Sequence, residues 1–437
     1  MSNNIVNVNV YQQVGSAPST LQQTGAFISQ GGTTLTAGTY GLLTQMSDLT
    51  ALLTASNPIT AIAWASNVVT VTLTNPHGVP STDVFQGVIS NTVPTGYNGT
   101  FQCTSTGANT FTYPLTTNPG SETTLGTFTI GAVSQLVAMY TTFLAQGSEL
   151  AVYVLELGTG GTSQGVTALN TYIGTPHVTT GFNGVFYAYL LPTTWDAETT
   201  FPTMARNYDA TTAKVYFFVE TSTATYNNYA TIKSVFANIP NASLPVTENS
   251  EASEFWTLLN ISPSSTNMVS PFSYTFVNGV TVYNPGSLAS TLNTAGVNWI
   301  GTGAEGQISN TLIQTGKFMD GNVVNYWYAI DWLNIQEEIA LAAAIINGSN
   351  NPTNPLYYTQ AGINALQKVA ENVVNNGIAF GMIQPGAVVT AVPFATYIAQ
   401  NPSNYQAGIY TGLAVTFTPL RGFASITIGL TASFVPN

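Results

Sequence analysis

Charge is what this sequence has least of. Only 5% of its 437 residues are Asp, Glu, Lys or Arg, against about 25% in an ordinary soluble protein. The polar surface must therefore be built from Thr, Ser, Asn, Gln and Gly. Cations are the scarcer sign: 6 Lys and Arg stand against 18 Asp and Glu, for a formal net charge of -12. Arg206, Lys214, Lys233, Lys317, Lys368 and Arg421 are scattered, so no basic stripe could neutralise phosphates. Nucleic-acid binding is excluded as a main activity. Cys103 is the single cysteine, which rules out an intrachain disulfide and a disulfide-stapled secreted scaffold. Its expected state is that of a small buried hydrophobe.

Long apolar runs are missing too. The charge-free stretch from Asn372 to Leu420 is broken by Pro385, Pro393 and Pro402 and by many amides. None of it reaches about 20 continuous apolar residues, so no membrane span is expected. The opening MSNNIVNVNV has neither a basic nor an apolar leader region, and no signal peptide is expected.

Catalytic chemistry is equally thin. His77 and His177 are the only histidines, and His77 sits in a turn-like Asn75-Pro76-His77-Gly78. There is no metal-ligand spacing, no nucleophile elbow and no phosphate loop; Gly158 to Thr162 lacks the lysine such a loop needs. Glu337 and Glu338 are adjacent on a helix, so their side chains diverge by about 100°. Glu248, Glu251 and Glu254 gather at a helix start, where negative charge suits the dipole. No catalytic residue, cofactor or metal site is expected, and no enzyme.

What is present is a folding chain, 44% hydrophobic and 11% aromatic. Scarce charge over such a length suits large buried subunit interfaces, which disfavour charge at their centres. Both ends alternate with period two. Val6, Val8 and Val10 share one face of the first strand; Ile426, Ile428, Leu430, Ala432 and Phe434 share one face of the last. A strand and a helix are expected within 36–53, with Ser47 as cap, and helices over 133–145, 227–237 and 251–260. Strands LAVYVLEL, GVFYAYLL and KVYFFVE alternate with helical segments, implying a partly parallel sheet. Between 59 and 130 the texture is all short strands and turns, an inserted β domain. Asn278-Gly279 predicts a hairpin over 272–283. VVNYWYAI predicts a strand, followed by a helix that Asp331 caps and that buries Trp332, Ile335, Ile339, Ala342, Ala343 and Ile346. A second helix runs from a Thr359 cap to Gly377, and strands continue to the end.

Three of these features together resemble contractile phage tail sheath proteins. They are the C-terminal order VVNYWYAI, DWLNIQEEIALAAAI, second helix and RGFASITIGLTASF; the early strand and helices ending in TTFLAQGSELAVYVLEL; and the inserted VTVTLTNPHGVPSTDVFQGV to TFTYPL, which resembles a small β module of phage structural proteins. The resemblance implies a mixed α/β multidomain fold. Its parts are an extended arm (1–20), an α/β sheath domain (21–58 and 131–310), the inserted all-β domain (59–130) and a C-terminal core domain (311–437). It also implies a structural subunit of the virion, made in the bacterial cytoplasm, that stacks as hexameric rings around the tail tube and contracts to deliver the genome. Implied partners are further copies of itself, the tube protein, and baseplate and terminator proteins. Val6, Val8, Val10, Ile426, Ile428, Leu430 and Phe434 would then pair between subunits, each strand adding backbone hydrogen bonds and a buried apolar face. Asp331, Glu337, Glu338, Lys317 and Arg421 are the candidate polar contacts to lattice or tube. Two other readings stay open: a β-rich virion adhesin, suggested by the Asn/Thr surface, and a carbohydrate-active enzyme, which needs two carboxylates about 5–10 Å apart.

Overall fold

The computed structural model describes residues 20–147, 150–175, 185–240, 249–303 and 310–426. They belong to two compact units. The first comprises Met1–Asn260, Phe276–Gln314 and Phe318–Gly321; the second comprises Ile261–Thr275, Thr315–Lys317 and Asn322–Asn437.

In the first unit, β1 (Gly25–Ser29), β2 (Tyr40–Leu43) and α1 (Met46–Leu52) precede the inserted strands. The cap of α1 is Gln45 and not Ser47: Gln45 and Asp48 bond each other's backbone amides in a reciprocal capping box. Strands β3 (Asn57–Ala65), β4 (Val68–Leu73), β5 (Val84–Ser90), β6 (Gly99–Gly107), β7 (Thr110–Pro114) and β8 (Thr127–Ile130) close into a barrel in the order β3-β4-β7-β6-β5-β8. Ser66 and Asn67, both at positive φ, make the tight turn between β3 and β4. Alternation along each strand sends Val69, Val71, Phe85, Cys103, Phe111 and Phe128 inward. Cys103 is buried as expected, and desolvation pushes its thiol up to about 12. His77 is buried there too, stacked on Phe85 at 5.3 Å between ring centres, with Nδ1 accepting from the Val79 amide.

After the barrel come α2 (Gly131–Gln146), β9 (Val152–Glu156), α3 (Thr162–Gly174), β10 (Ala188–Leu190), α4 (Thr200–Ala205), β11 (Tyr216–Glu220), β12 (Val235–Asn238) and α5 (Glu251–Leu259). The sheet runs β12-β11-β10-β1-β9-β2, parallel except for β2 at its edge. Its strands are buried on both faces, which is why they read as unbroken apolar runs. Alternate residues of β1 show the two layers. Ala26 and Ile28 share a core with α3 and α4, through Leu169, Phe201 and Met204. Phe27 faces the other way, its ring 5.5 Å from Phe143 of α2 and 5.8 Å from Phe255 of α5. Gly25 allows α5 to lie this close, since any side chain there would meet Leu259 and Phe255. The unit ends with α6 (Ala289–Ala295) and the paired β13 (Ile300–Thr302) and β14 (Thr311–Ile313).

The second unit is built on α7 (Val324–Ser349) and α8 (Gln360–Ala379), joined by β15 (Val388–Ala391), α9 (Phe394–Gln400), α10 (Pro402–Gln406) and β16 (Leu413–Thr416). Trp332 of α7 meets Phe380 at 5.8 Å between ring centres. Thr359 caps α8 as expected, its hydroxyl accepting from the Gly362 amide. Ile363, Ala370, Val373 and Val374 are buried along one face of α8, and Leu366 is half-buried. Tyr358, Phe394, Tyr405 and Tyr410 form an aromatic cluster beside the short helices.

Several expected elements are different. VVNYWYAI is not a strand: Val323 is extended, but α7 starts at Val324, and burial of Trp327 and Tyr328 overrides their β propensity. The helix expected over 227–237 is a turn at Tyr226–Tyr229 followed by β12; a four-residue apolar run carries no period to tell the two apart. The 272–283 hairpin does not form. Gly279 does turn, at φ 67°, but Val277 donates to the Thr311 carbonyl and Tyr283 to that of Ile300, so the flanks join β14 and β13 instead. The C-terminal stretch expected to be strands includes α9 and α10.

Candidate assembly surfaces

The two-stranded sheet β15-β16 is the first candidate. Val388 pairs with Thr416 and Ala391 with Leu413, antiparallel, and no third strand flanks either edge among the described residues. Exposed and half-buried residues alternate along both strands, and Val388 projects a large apolar side chain outward. Two strands alone are marginal in water, and unpaired edges are templates for further pairing. Here α8 supports one face, with the Gln367 Nε2 donating to the Val389 carbonyl at 3.1 Å. The result is a braced strand pair in which α8 takes one acceptor on the outer edge of β15, while no strand flanks the outer edge of β16 among the described residues.

The distal half of α7 is the second. Ile339, Ala342, Ala343, Ile345 and Ile346 are exposed, Ile346 by 61%. That corrects the expected core face: Trp332 is buried and Ile335 half-buried, but Ile339, Ala342, Ala343 and Ile346 are not. The helix is longer than the core it packs on, so its final turns run past their cover.

The polar candidates separate. Asp331 is 1% exposed inside α7, so it neither caps a helix nor faces a partner. Glu338 is exposed, whereas the carboxylate oxygens of Glu337 are covered and desolvation lifts its pKa to about 7. Lys317 is half-buried, which lowers its pKa. Arg421 is exposed and lies over the Tyr326 ring at 5.2 Å, a cation–π contact. Ile426 is 79% exposed, and Phe423 nearby is 86% exposed. Val6, Val8, Val10, Ile428, Leu430 and Phe434 lie outside the described residues. An ion pair, Lys368 with Glu371 at 3.1 Å, is a solvated neighbour pair on α8.

Buried acidic residues lie in the first unit. Glu251 and Glu254 stand in the first turn of α5, the helix start expected for them. Both are fully buried at the start of α5, and desolvation raises their pKa values well above the carboxylate range, with Glu220 raising Glu251 further. Glu156 is buried in the opposite manner. Its carboxylate accepts from the Ser29 hydroxyl, the amides of Gly31, Thr33 and Gly158, and the Thr33 hydroxyl, at 2.7 to 3.1 Å. It ties the loops after β1 and β9 together. Among the described residues no group of three His, Cys, Asp or Glu side chains could hold a metal, and no helix is long and apolar enough to cross a membrane.

The sequence matches no protein-family model, and no curated protein matches it. Solved structures do resemble it. The contracted helical sheath of the anti-feeding prophage superposes with a TM-score of 0.54 at 12% identity, covering 98% of this chain and 99% of that one. The sheath tail protein of Listeria innocua scores 0.44 at 11% identity over 87% and 89%. Over nearly its whole length, the chain has the fold of the prophage's helical sheath protein.

Proposed function

We propose that this chain is the structural subunit of a contractile bacteriophage tail sheath, polymerising as stacked, hexameric rings around a tail tube whose passage through the host envelope its contraction drives. The observation that carries this reading is the end-to-end fit to a sheath fold, which covers 98% of this chain and 99% of the other. Scarce charge and the open pair β15-β16 support it. In this reading β15-β16 accepts the period-two terminal segments of neighbouring copies, residues around Val6 to Val10 and Ile426 to Phe434. Each donated strand contributes several backbone hydrogen bonds of about 1 kcal/mol net. Such tethers survive rigid-body rotation of the units they join, as contraction requires. Glu338, Arg421 and the apolar end of α7 are the surface groups offered to the lattice or tube. Assembly would take place in the host cytoplasm, with baseplate and terminator proteins closing the ends.

Negative-stain microscopy of the purified chain tests the reading. Tubes or cogwheel-like rings support it; discrete trimers would favour a virion adhesin. Removing residues 424–437 should leave a folded, soluble protein that no longer polymerises, and tubes of normal length from that truncation would overturn strand donation.

A further inference from the structure

The parallel strands of the first unit run β12-β11-β10-β1-β9. From β1 the chain goes to β9 on one side, then crosses back over β1 to β10 on the other. Strand order reverses at β1, and in doubly wound sheets ligands sit outside the carboxyl ends of the strands at that point. A cavity of 580 Å³ opens there, a volume typical of small-ligand sites. Gln30 follows β1, Gly161 to Gln164 follow β9 and Thr194 follows β10; β5 and β6 of the barrel supply the facing wall.

The wall chemistry restricts the occupant. No Lys, Arg or His lines the cavity, whereas Asp83 and Glu198 do. The N-terminus of α3 is already held by Asp83: its Oδ2 accepts from the Gly161 amide at 3.2 Å and from Gln164 Nε2 at 3.0 Å. A phosphate there would meet that carboxylate; α2 also starts at the cavity wall, at Ile130 and Ala132, with no cation beside it. What remains is neutral and hydrogen-bonding. Gln30 is fixed in place, accepting from the buried Trp195 indole at 2.8 Å and donating to the Gly161 carbonyl at 3.0 Å. Gln86 and Gln102 stand opposite each other across β5 and β6, and their amides bond to no other described residue. Ile28, Phe85 and Ile130 add apolar surface between these groups.

We propose that this switch-point cavity binds a neutral oligosaccharide. Sugar hydroxyls donate to the two carboxylates and exchange hydrogen bonds with the free amides, while ring C–H faces lie on the apolar patches. The absence of any lining cation makes a charged sugar acid or a nucleotide a poor fit. The proposal does not rest on the sheath reading.

The test uses the full chain on an array of neutral and acidic oligosaccharides, followed by calorimetric titration of the strongest neutral hit against inorganic phosphate. Neutral glycans should bind, and phosphate should not. The double variant Gln86→Leu, Gln102→Leu should lose about tenfold or more in affinity, since each lost partner leaves a sugar hydroxyl unpaired. Glu198→Gln provides a second variant if the first is unstable, and should weaken binding while its amide oxygen can still accept from Thr200. No neutral hit at about 1 mM glycan, a scale of only about 4 kcal/mol, would overturn the proposal. So would preferred binding of phosphate, or hits that bind both variants as tightly as the natural chain.

Discussion

The Asp83 carboxylate, carried by the barrel, sits 3.2 Å from the backbone amide of Gly161, the cap residue that precedes α3 in the sheet domain. A second link lies beside it, where the Thr159 hydroxyl donates to the Gly78 carbonyl. An insert attached by two chain crossings is thus also held by its side. Anions at helix N-termini contribute about 0.3–1 kcal/mol when exposed and up to about 2 when partly buried. Asp83→Ala should therefore destabilise by about 1 kcal/mol. It should also speed hydrogen exchange at the first amides of α3 more than in the barrel interior, which peptide-level exchange mass spectrometry reads directly. Equal protection in both proteins would show that the contact carries no weight.

Glu156 should be far less tolerant. Five donors converge on it, and Glu156→Ala would strand all of them in a buried setting. Leaving a buried hydrogen-bonding group unpaired costs about 1–3 kcal/mol each, reduced where loops relax or water enters. A loss of about 3 kcal/mol or more is expected from chemical denaturation, or failure to accumulate as soluble protein. Glu156→Asp, which keeps the charge, should recover part of the loss.

Stability should fall with rising pH for a reason that can be placed at named residues. Glu251, Glu254 and Glu337 all have folded-state pKa values raised from 4.5 by desolvation, Glu337 to about 7. Each binds its proton more tightly when folded. Their contribution is complete below the unfolded value and is lost as pH climbs through the folded one. Glu337→Gln mimics the protonated form permanently. Its melting temperature should match that of the natural chain near pH 4 and exceed it above pH 7; an equal offset at both would point to packing and not to titration. Glu254→Gln should behave alike, since desolvation raises its folded-state pKa as well.

Excision of the barrel should be mild. Asn57 of β3 and Phe128 of β8 are directly paired, so the chain enters and leaves on neighbouring strands, about 4.5–5.5 Å apart in such pairs. A short Gly/Ser bridge from residue 58 to residue 131, replacing 59–130, spans the few residues beyond that pair with little loop entropy. The shortened chain is expected to fold and, on the sheath reading, to form tubes of smaller outer diameter. Insoluble product would mean that the barrel is needed for the sheet domain to fold.

On the sheath reading, polymers should be nearly indifferent to salt. The Lys368–Glu371 pair is the kind of solvated contact worth about 0–1 kcal/mol and screened by electrolyte. Apolar burial and backbone pairing are not screened in this way. Tube length by microscopy should persist from about 0.1 M to 1 M salt, as the Debye length falls from about 10 to 3 Å. If tubes dissolve, Arg421 and Lys317 are the cations to substitute first.

Much of the architecture was legible because it follows from periodicity and turn chemistry. YFFVE and AVYVLEL announce strands covered on both faces, and Asn98-Gly99 with the other turn signals marks off the barrel. Elements whose identity is settled by distant partners were not legible. Tyr326 to Tyr328 are helical because α7 buries them, and α3 is hidden in a Thr- and Gly-rich segment. The strand pair β15-β16 could not be separated from the segments around it, because α9 and α10 intervene between its strands. Glu251 and Glu254 look solvated in a sequence, since nothing local reports that a sheet closes over them. Asp331 misled for the same reason, its place inside α7 being set by packing and not by its neighbours in the chain.

The closure of the barrel has a consequence for any polymer this chain joins. A lattice joined by strand exchange is exposed to every unsatisfied ladder its own subunits carry, since each one competes for the incoming segment. The insert contributes six strands yet offers that competition little, because its ring of hydrogen bonds returns on itself between β3 and β8, where Asn57 and Pro58 pair with Phe128 and Thr127. It adds few open positions to the joining reaction. A chain that assembles through edges can acquire new surface in this way without acquiring new errors.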